Sequence, residues 1–192
     1  MNKKQIRNFL NYHYEIESSA AHFQEVIIDE EEKLIMEFEA MGIKKPEDEE
    51  MENRILNASE AGELVNLMRK QMCYSNDVLL AGRLIENERE VMPIIKKKVI
   101  TTLQDYFIER AMRFFTKCEE NPCQWIVDNY RSIRNEYMRE MLCMVLGYRG
   151  DPELIPFLID EADRFEEHYP DESYDQGPFL AVERLVRRYR LL

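Results

Sequence analysis

The sequence predicts an all-helical protein, and three observations carry that prediction. Glycine (6) and proline (7) are scarce over 192 residues, so the chain has few turns, which favours long helices over many short strands. Methionine (11), leucine, glutamate and arginine are abundant while β-branched residues are few, a composition that suits helices. Apolar side chains also recur at helical spacing along the chain, with stop signals between the stripes.

The elements follow in order. Ile6, Leu10, His13, Glu17 and Ala20 share one helix face, with Phe9 and Ile16 beside it. Leu34, Ile35, Phe38 and Met41 form a second stripe, and Gly42-Ile43 after it reads as a C-terminal glycine with a hydrophobic clip. Pro46 and the acidic run Glu47-Asp48-Glu49-Glu50 open a helix carrying Met51, Ile55 and Leu56. Ala61, Leu64, Val65, Met68 and Met72 make the next stripe, followed by Val78, Leu80, Leu84 and Ile85.

Beyond this point the pattern repeats. Glu90-Val91-Met92-Pro93-Ile94-Ile95 resembles Glu153-Leu154-Ile155-Pro156-Phe157-Leu158, with the prolines 63 residues apart. Asn121-Pro122-Cys123-Gln124-Trp125-Ile126-Val127 stands at the midpoint, so the period is about 30 to 33 residues. Each segment precedes an amphipathic stretch: Leu103 to Phe115, Tyr137 to Val145, and Pro178 to Tyr189. Self-similarity of this kind is the mark of a solenoid whose helix pairs bury their faces against their neighbours.

The stretch from Arg139 to Ile159, with Leu146-Gly147, Gly150-Asp151-Pro152, Leu154-Ile155, Pro156 and Leu158, resembles a HEAT-like repeat junction. The resemblance implies an α-α superhelix of HEAT-like helix pairs, and each residue has a mechanical role in it. Gly147 and Gly150 are expected to end one helix and let the chain reverse. Asp151 should cap the next helix, Pro152 should occupy its first position, and Pro156 should bend it from within. Residues 1–57 are expected to form an N-terminal helical cap and 58–192 the repeats, in a single compact unit.

Charge limits the partners. The net charge is −12, divided as −8 over residues 1–60, +1 over 61–120 and −5 over 121–192. Polyanions are therefore poor partners, and nucleic acid is not expected. Acidity concentrates in Asp29 to Glu32 and Glu47 to Glu50, which read as helix N-terminal and surface charge. No apolar run approaches the length that spans a bilayer, and no secretory signal is recognisable. Cys73, Cys118, Cys123 and Cys143 have no framework spacing, so reduced thiols and a cytoplasmic location are expected.

No catalytic constellation emerges. The residues three before His13, His22 and His168 are Leu10, Ser19 and Phe165, so the Glu-x-x-His pattern of a di-iron bundle is absent. The His-Glu dipeptides of HEAT-type hydroxylases are absent as well. Cys118 and Cys123 lack the spacing and the second pair of a zinc knuckle, and no phosphate loop or nucleophile elbow occurs. No cofactor or metal is expected. The HEAT-like alkylpurine DNA glycosylases supply the alternative, a nucleic-acid-binding or DNA-repair protein. For that reading the chain offers Trp125, Tyr130, Arg131, Arg134, Tyr137 and Arg139, and the terminal Arg184, Arg187, Arg188 and Arg190. These arginines alternate with Glu136, Glu140 and Glu183, which reads more simply as helix-surface pairing.

The expectation is therefore a non-enzymatic helical-repeat protein that binds a protein or peptide. Its surface would be formed by the second helix of each pair, with Arg110, Arg113, Arg134, Glu140, Glu183 and Arg187 among its polar positions. The acidic N-terminal third suggests a basic partner, as for an immunity or antitoxin-like inhibitor.

Overall fold

The computed structural model describes residues 2–17 and 46–192, with the side chains of 2–12 and 46–192. The stripe from Leu34 to Ile43, the run Asp29 to Glu32, His22 and the side chain of His13 lie outside this set. Among the described residues there are ten α-helices and no strand. No described helix is long and apolar enough to cross a membrane. The chain divides into two compact units: Val26–Glu120, and Met1–Glu25 with Asn121–Leu192. The first helix is thus grouped with the last third of the sequence.

In the unit Val26–Glu120, α2 (Pro46–Asn57) begins on its proline and carries Glu47, Asp48 and Glu49 in its first turn. There they offset the positive end of the helix dipole. α3 (Ala61–Leu67) is held at its start by Glu63, whose Oε2 accepts the N–H groups of Ser59 (3.1 Å) and Glu60 (3.3 Å). α4 (Tyr74–Glu86) and α5 (Glu88–Val99) meet at Asn87, whose Nδ2 donates to the Arg83 carbonyl (2.7 Å). α6 (Asp105–Lys117) buries Phe107, Ala111, Phe114 and Phe115 of the expected stripe, and Ile108 beside them, whereas Leu103 lies before the helix and is exposed.

Each of these helices packs on its neighbour or on the next but one: α2 on α4, α3 on α5 and α4 on α6. Two hydrogen bonds fix the direction of α2 against α4. Asn76 Nδ2 donates to the Asp48 carbonyl (2.8 Å), and Arg83 Nη1 to the Leu56 carbonyl (2.9 Å). Residue numbers rise together on both helices, so α2 and α4 run the same way.

In the other unit, α1 (Lys3–Glu17) packs on α10 (Gln176–Tyr189), with the Phe9 and Phe179 rings 6.3 Å apart. α7 (Cys123–Asn129) runs into a 3-10 turn, Tyr130–Ser132. α8 (Glu136–Arg149) is capped by Asn135, whose side chain accepts the Met138 N–H (2.8 Å). α9 (Ile155–His168) follows a second 3-10 turn, Pro152–Leu154. α10 ends at Arg190, in the left-handed conformation (φ 51°), and Leu191 N–H closes on the Val186 carbonyl (3.1 Å).

The junction that suggested a repeat is built differently from its expected mechanics. Gly147 does not end a helix; it lies inside α8, where an added Cβ would stand 2.6 Å from the Ala181 Cα. Its role is to let α10 approach. Gly177 does the same at the start of α10, where a Cβ would fall 2.5 Å from the Glu140 carbonyl oxygen. Pro156 stands in the first turn of α9, where no carbonyl four residues back needs its N–H, so it puts no bend in the helix. Pro152 opens the 3-10 turn, as expected of a first-position proline, whereas the Asp151 side chain makes no capping bond. The contacts Glu140 with Gly177, Gly147 with Ala181 and Tyr148 with Arg184 advance together, so α8 and α10 also run the same way.

Gly147→Ala should destabilise the protein by about 1–3 kcal/mol, because the methyl meets backbone that cannot turn aside. Gly82, in α4 with open space around its Cα, should respond oppositely, with Gly82→Ala gaining about 0.5–1 kcal/mol. Urea denaturation of both variants measures the contrast, and equal effects of the same sign would contradict the close approach of α8 and α10.

Candidate functional site

Of the six polar positions expected on the binding surface, three are buried and three are not. Arg110, Glu140 and Glu183 are each only 6% exposed. Arg113 is half-buried, while Arg134 and Arg187 are exposed. The burial follows from packing alternate helices side by side, which turns the inward-leaning polar positions of α6, α8 and α10 toward a neighbouring helix.

Arg110 shows what such a position does instead. Its Nε is paired with the Asp77 carboxylate on α4, and its Nη1 donates to the carbonyls of Met68 and Lys70, both at 2.7 Å. Those carbonyls follow the last turn of α3 and have no partner within the helix. The guanidinium thus closes the end of α3, ties it to α4 through Asp77, and lies 5.5 Å from the Tyr106 ring centroid.

The same device recurs. Arg83 of α4 donates to the carbonyls of Leu56 (2.9 Å), in the last turn of α2, and Ala58 (3.1 Å), just past it. Arg188 of α10 donates to Tyr148 (2.8 Å) and Gly150 (3.4 Å) at the end of α8. Arg184 lies over the Tyr148 ring, 3.5 Å from its centroid, and Arg187 is paired with Glu183 one turn earlier.

The most buried carboxylate in the described residues was not singled out in the sequence. Glu161, 1% exposed, accepts a two-pronged contact from Arg131, with Nη1 to Oε2 at 2.9 Å. Arg164 lies 4.0 Å from the same carboxylate. Beside it the fully buried Tyr130 places its hydroxyl 3.2 Å from the Arg139 carbonyl and from Cys143 Sγ. Arg139 bonds Glu136 (3.2 Å), which also accepts from the Tyr169 hydroxyl (2.9 Å), while the buried Arg139 Nε meets no acceptor. No sequence motif marks Glu161, since an acidic residue among Asp160, Asp163 and Arg164 looks like helix surface until the fold turns it inward.

Burial and hydrogen bonding raise the pKa of several thiols and phenols. Burial is the leading cause that pushes the Cys123 thiol up to about 11, and burial raises the Cys143 thiol further. Tyr130 is raised well above its ordinary value, chiefly by burial. Tyr12 and Tyr169 are raised because their hydroxyls donate to the Glu166 and Glu136 carboxylates, which hold the proton in place. Among the described residues no group of His, Cys, Asp and Glu is arranged to hold a metal ion.

Among the described residues, two clefts lie in the unit Val26–Glu120. One of about 350 Å³ includes Arg54, Ala58, Leu67 and Lys70, and one of about 600 Å³ is formed by α5 around Pro93, Ile94 and Lys97. No protein-family model matches the chain, and neither a curated protein nor a solved structure matches it.

Replacing Arg110 by Met should cost about 3–5 kcal/mol, because Asp77 and two carbonyls lose their partner in the interior. The loss should be seen as a lowered denaturation midpoint, and a change near zero would contradict the clamp. The thiols give an independent check. Only Cys73 is not buried, and a raised pKa leaves less thiolate at neutral pH. At pH 8 one thiol should react promptly with an aromatic disulfide reagent, and four after denaturation.

Proposed function

We propose that the protein is a non-enzymatic scaffold of HEAT-like helix pairs that binds a protein or peptide partner. One observation carries the reading: alternate helices run the same way in each unit, α2 with α4 and α8 with α10. Stacking of this kind lays successive helices side by side and makes an extended surface, which helical-repeat proteins use to hold other chains. The engaged charges support it, since Arg83, Arg110, Arg131 and Arg188 bond helix ends and carboxylates of their own unit. A reaction would need such groups converging on a cleft.

The alternative, a DNA-binding protein of the HEAT-like glycosylase type, needs clustered cations free to meet phosphates. Arg131, Arg139, Arg184 and Arg188 are instead bonded to Glu161, Glu136, Tyr148 and the end of α8. The antitoxin-like version, with a basic partner, draws on the acidic N-terminal third. Of its described acidic residues, Glu47, Asp48 and Glu49 sit in the first turn of α2, where the helix dipole accounts for them.

Capture on the immobilised chain from its native cell lysate, after nuclease treatment, tests the scaffold reading. Mass spectrometry should identify one or a few polypeptides retained in near-stoichiometric amount. Retention of nothing above an unrelated acidic helical protein, or retention that nuclease abolishes, would refute it.

A further inference from the structure

Two adjoining clefts on α3 and α5 make up a groove. The first lies along α3 and the end of α2, and Asn66 belongs to its lining. Lys98 lines the second, and its Nζ donates to the Asn66 Oδ1 (2.9 Å). That bond joins the two depressions across helices that pack on each other.

The groove is basic in a chain of net charge −12. Arg54, Lys70, Lys97 and Lys98 come from three different helices or their ends and meet along it. Its one carboxylate, Glu63, is engaged by the Ser59 and Glu60 N–H groups. Arg54, Lys70 and Lys97 are exposed. Between the cations the lining includes apolar residues, Ala58 and Leu67 at one end and Pro93 and Ile94 at the other, beside the neutral Asn57, Asn66 and Thr101. Pro93 within α5 adds to this, because a proline there leaves the carbonyl four residues earlier without its usual donor and exposes an apolar ring.

We propose that this groove docks an acidic amphipathic segment of a partner protein. Apolar side chains of the segment rest against Pro93, Ile94 and Leu67, and its carboxylates face Lys70 and Lys97. The inference rests on the scaffold reading and adds the partner's chemistry. An apolar lining with cations along it is the complement of a helix that has one apolar and one acidic face. Nucleic acid fits less well: among the described residues no aromatic side chain lines either cleft to stack on a base, and the net charge opposes an extended polyanion.

The test selects, on the immobilised full chain, from a phage-displayed library of random peptides about 16 residues long, enough for roughly four helical turns. The variant K70E/K97E is the comparison. Both side chains are exposed and bond no described residue, so its circular dichroism and melting temperature should match the wild type. Enriched peptides should carry Asp or Glu beside regularly spaced apolar residues. A synthetic copy of the most enriched one should bind K70E/K97E about tenfold more weakly than the wild type, and its affinity for the wild type should fall as salt rises. Enrichment of basic or uncharged peptides, no enrichment, or equal affinity for both proteins would overturn the proposal. Tighter binding of a duplex DNA of equal length would overturn it in favour of a polyanion. Concentration-dependent self-association abolished by K70E/K97E would assign the groove to a second copy. If K70E/K97E still captures the same lysate polypeptide as the wild type, the scaffold reading stands and the groove assignment fails.

Discussion

The interaction on which the rest depends is an arginine reaching across to the open carbonyls at the end of another helix. The last turn of a helix leaves carbonyl oxygens without donors and with a partial negative charge. A guanidinium answers both needs at once, because its several N–H groups spread over neighbouring acceptors. Arg83 does this for α2, Arg110 for α3 and Arg188 for α8. In each case donor and acceptor lie between 25 and 42 residues apart. Such a bond is therefore tertiary, and it fixes which helix end lies against which helix. Removing the acceptor's partner leaves a desolvated charge or carbonyl, so the cost falls on one arrangement and disfavours slipped alternatives.

Close approach completes what the clamps begin. α8 and α10 touch through glycine on one side or the other, Gly147 against Ala181 and Gly177 against Glu140. Without side chains between them the backbones gain extensive dispersion contact, and the interior packs with little void. The consequence is that Glu140 and Glu183, on these helices, are drawn inside. Their charges become part of the stack, and the polar positions left for a partner are those the close approach does not cover.

The all-helical class was legible because composition and apolar spacing act locally. The stripes of α3, α4 and α6 point inward as read, with Leu64, Val65, Leu80, Leu84, Phe107, Phe114 and Phe115 all buried. Proline and glycine were read less well, since one residue type serves several purposes. Gly147 could end a helix or admit a neighbour, and only the position of Ala181 decides between them. Pro156 looked like a helix interior because the 3-10 turn Pro152–Leu154 cannot be distinguished in sequence from the first turn of an α-helix. The charged positions were the least legible. Arg110 and Arg113 are three apart on one amphipathic helix, yet one is sealed in a clamp and the other half-buried. That difference depends on where the end of α3 lies, which no local pattern records. Glu161 escaped notice for the same reason, because its partner Arg131 is 30 residues earlier.

Net charge and groove charge act over different distances. At physiological ionic strength, exposed charges more than about 8 Å apart are largely screened. The −12 of the whole chain therefore governs solubility and the first stage of encounter, and repels extended polyanions that must feel many sites at once. Contact is decided by the charges within one screening length. Along α3 and α5 these are Arg54, Lys70, Lys97 and Lys98, against a single carboxylate already engaged by two backbone donors. A short acidic segment with an apolar side is drawn in by this local field and anchored by burial of its apolar face. A long polyanion meets the same field with the rest of the protein opposing it. An acidic protein can thus select acidic peptides, provided that its fold gathers cations from separate helices onto one face.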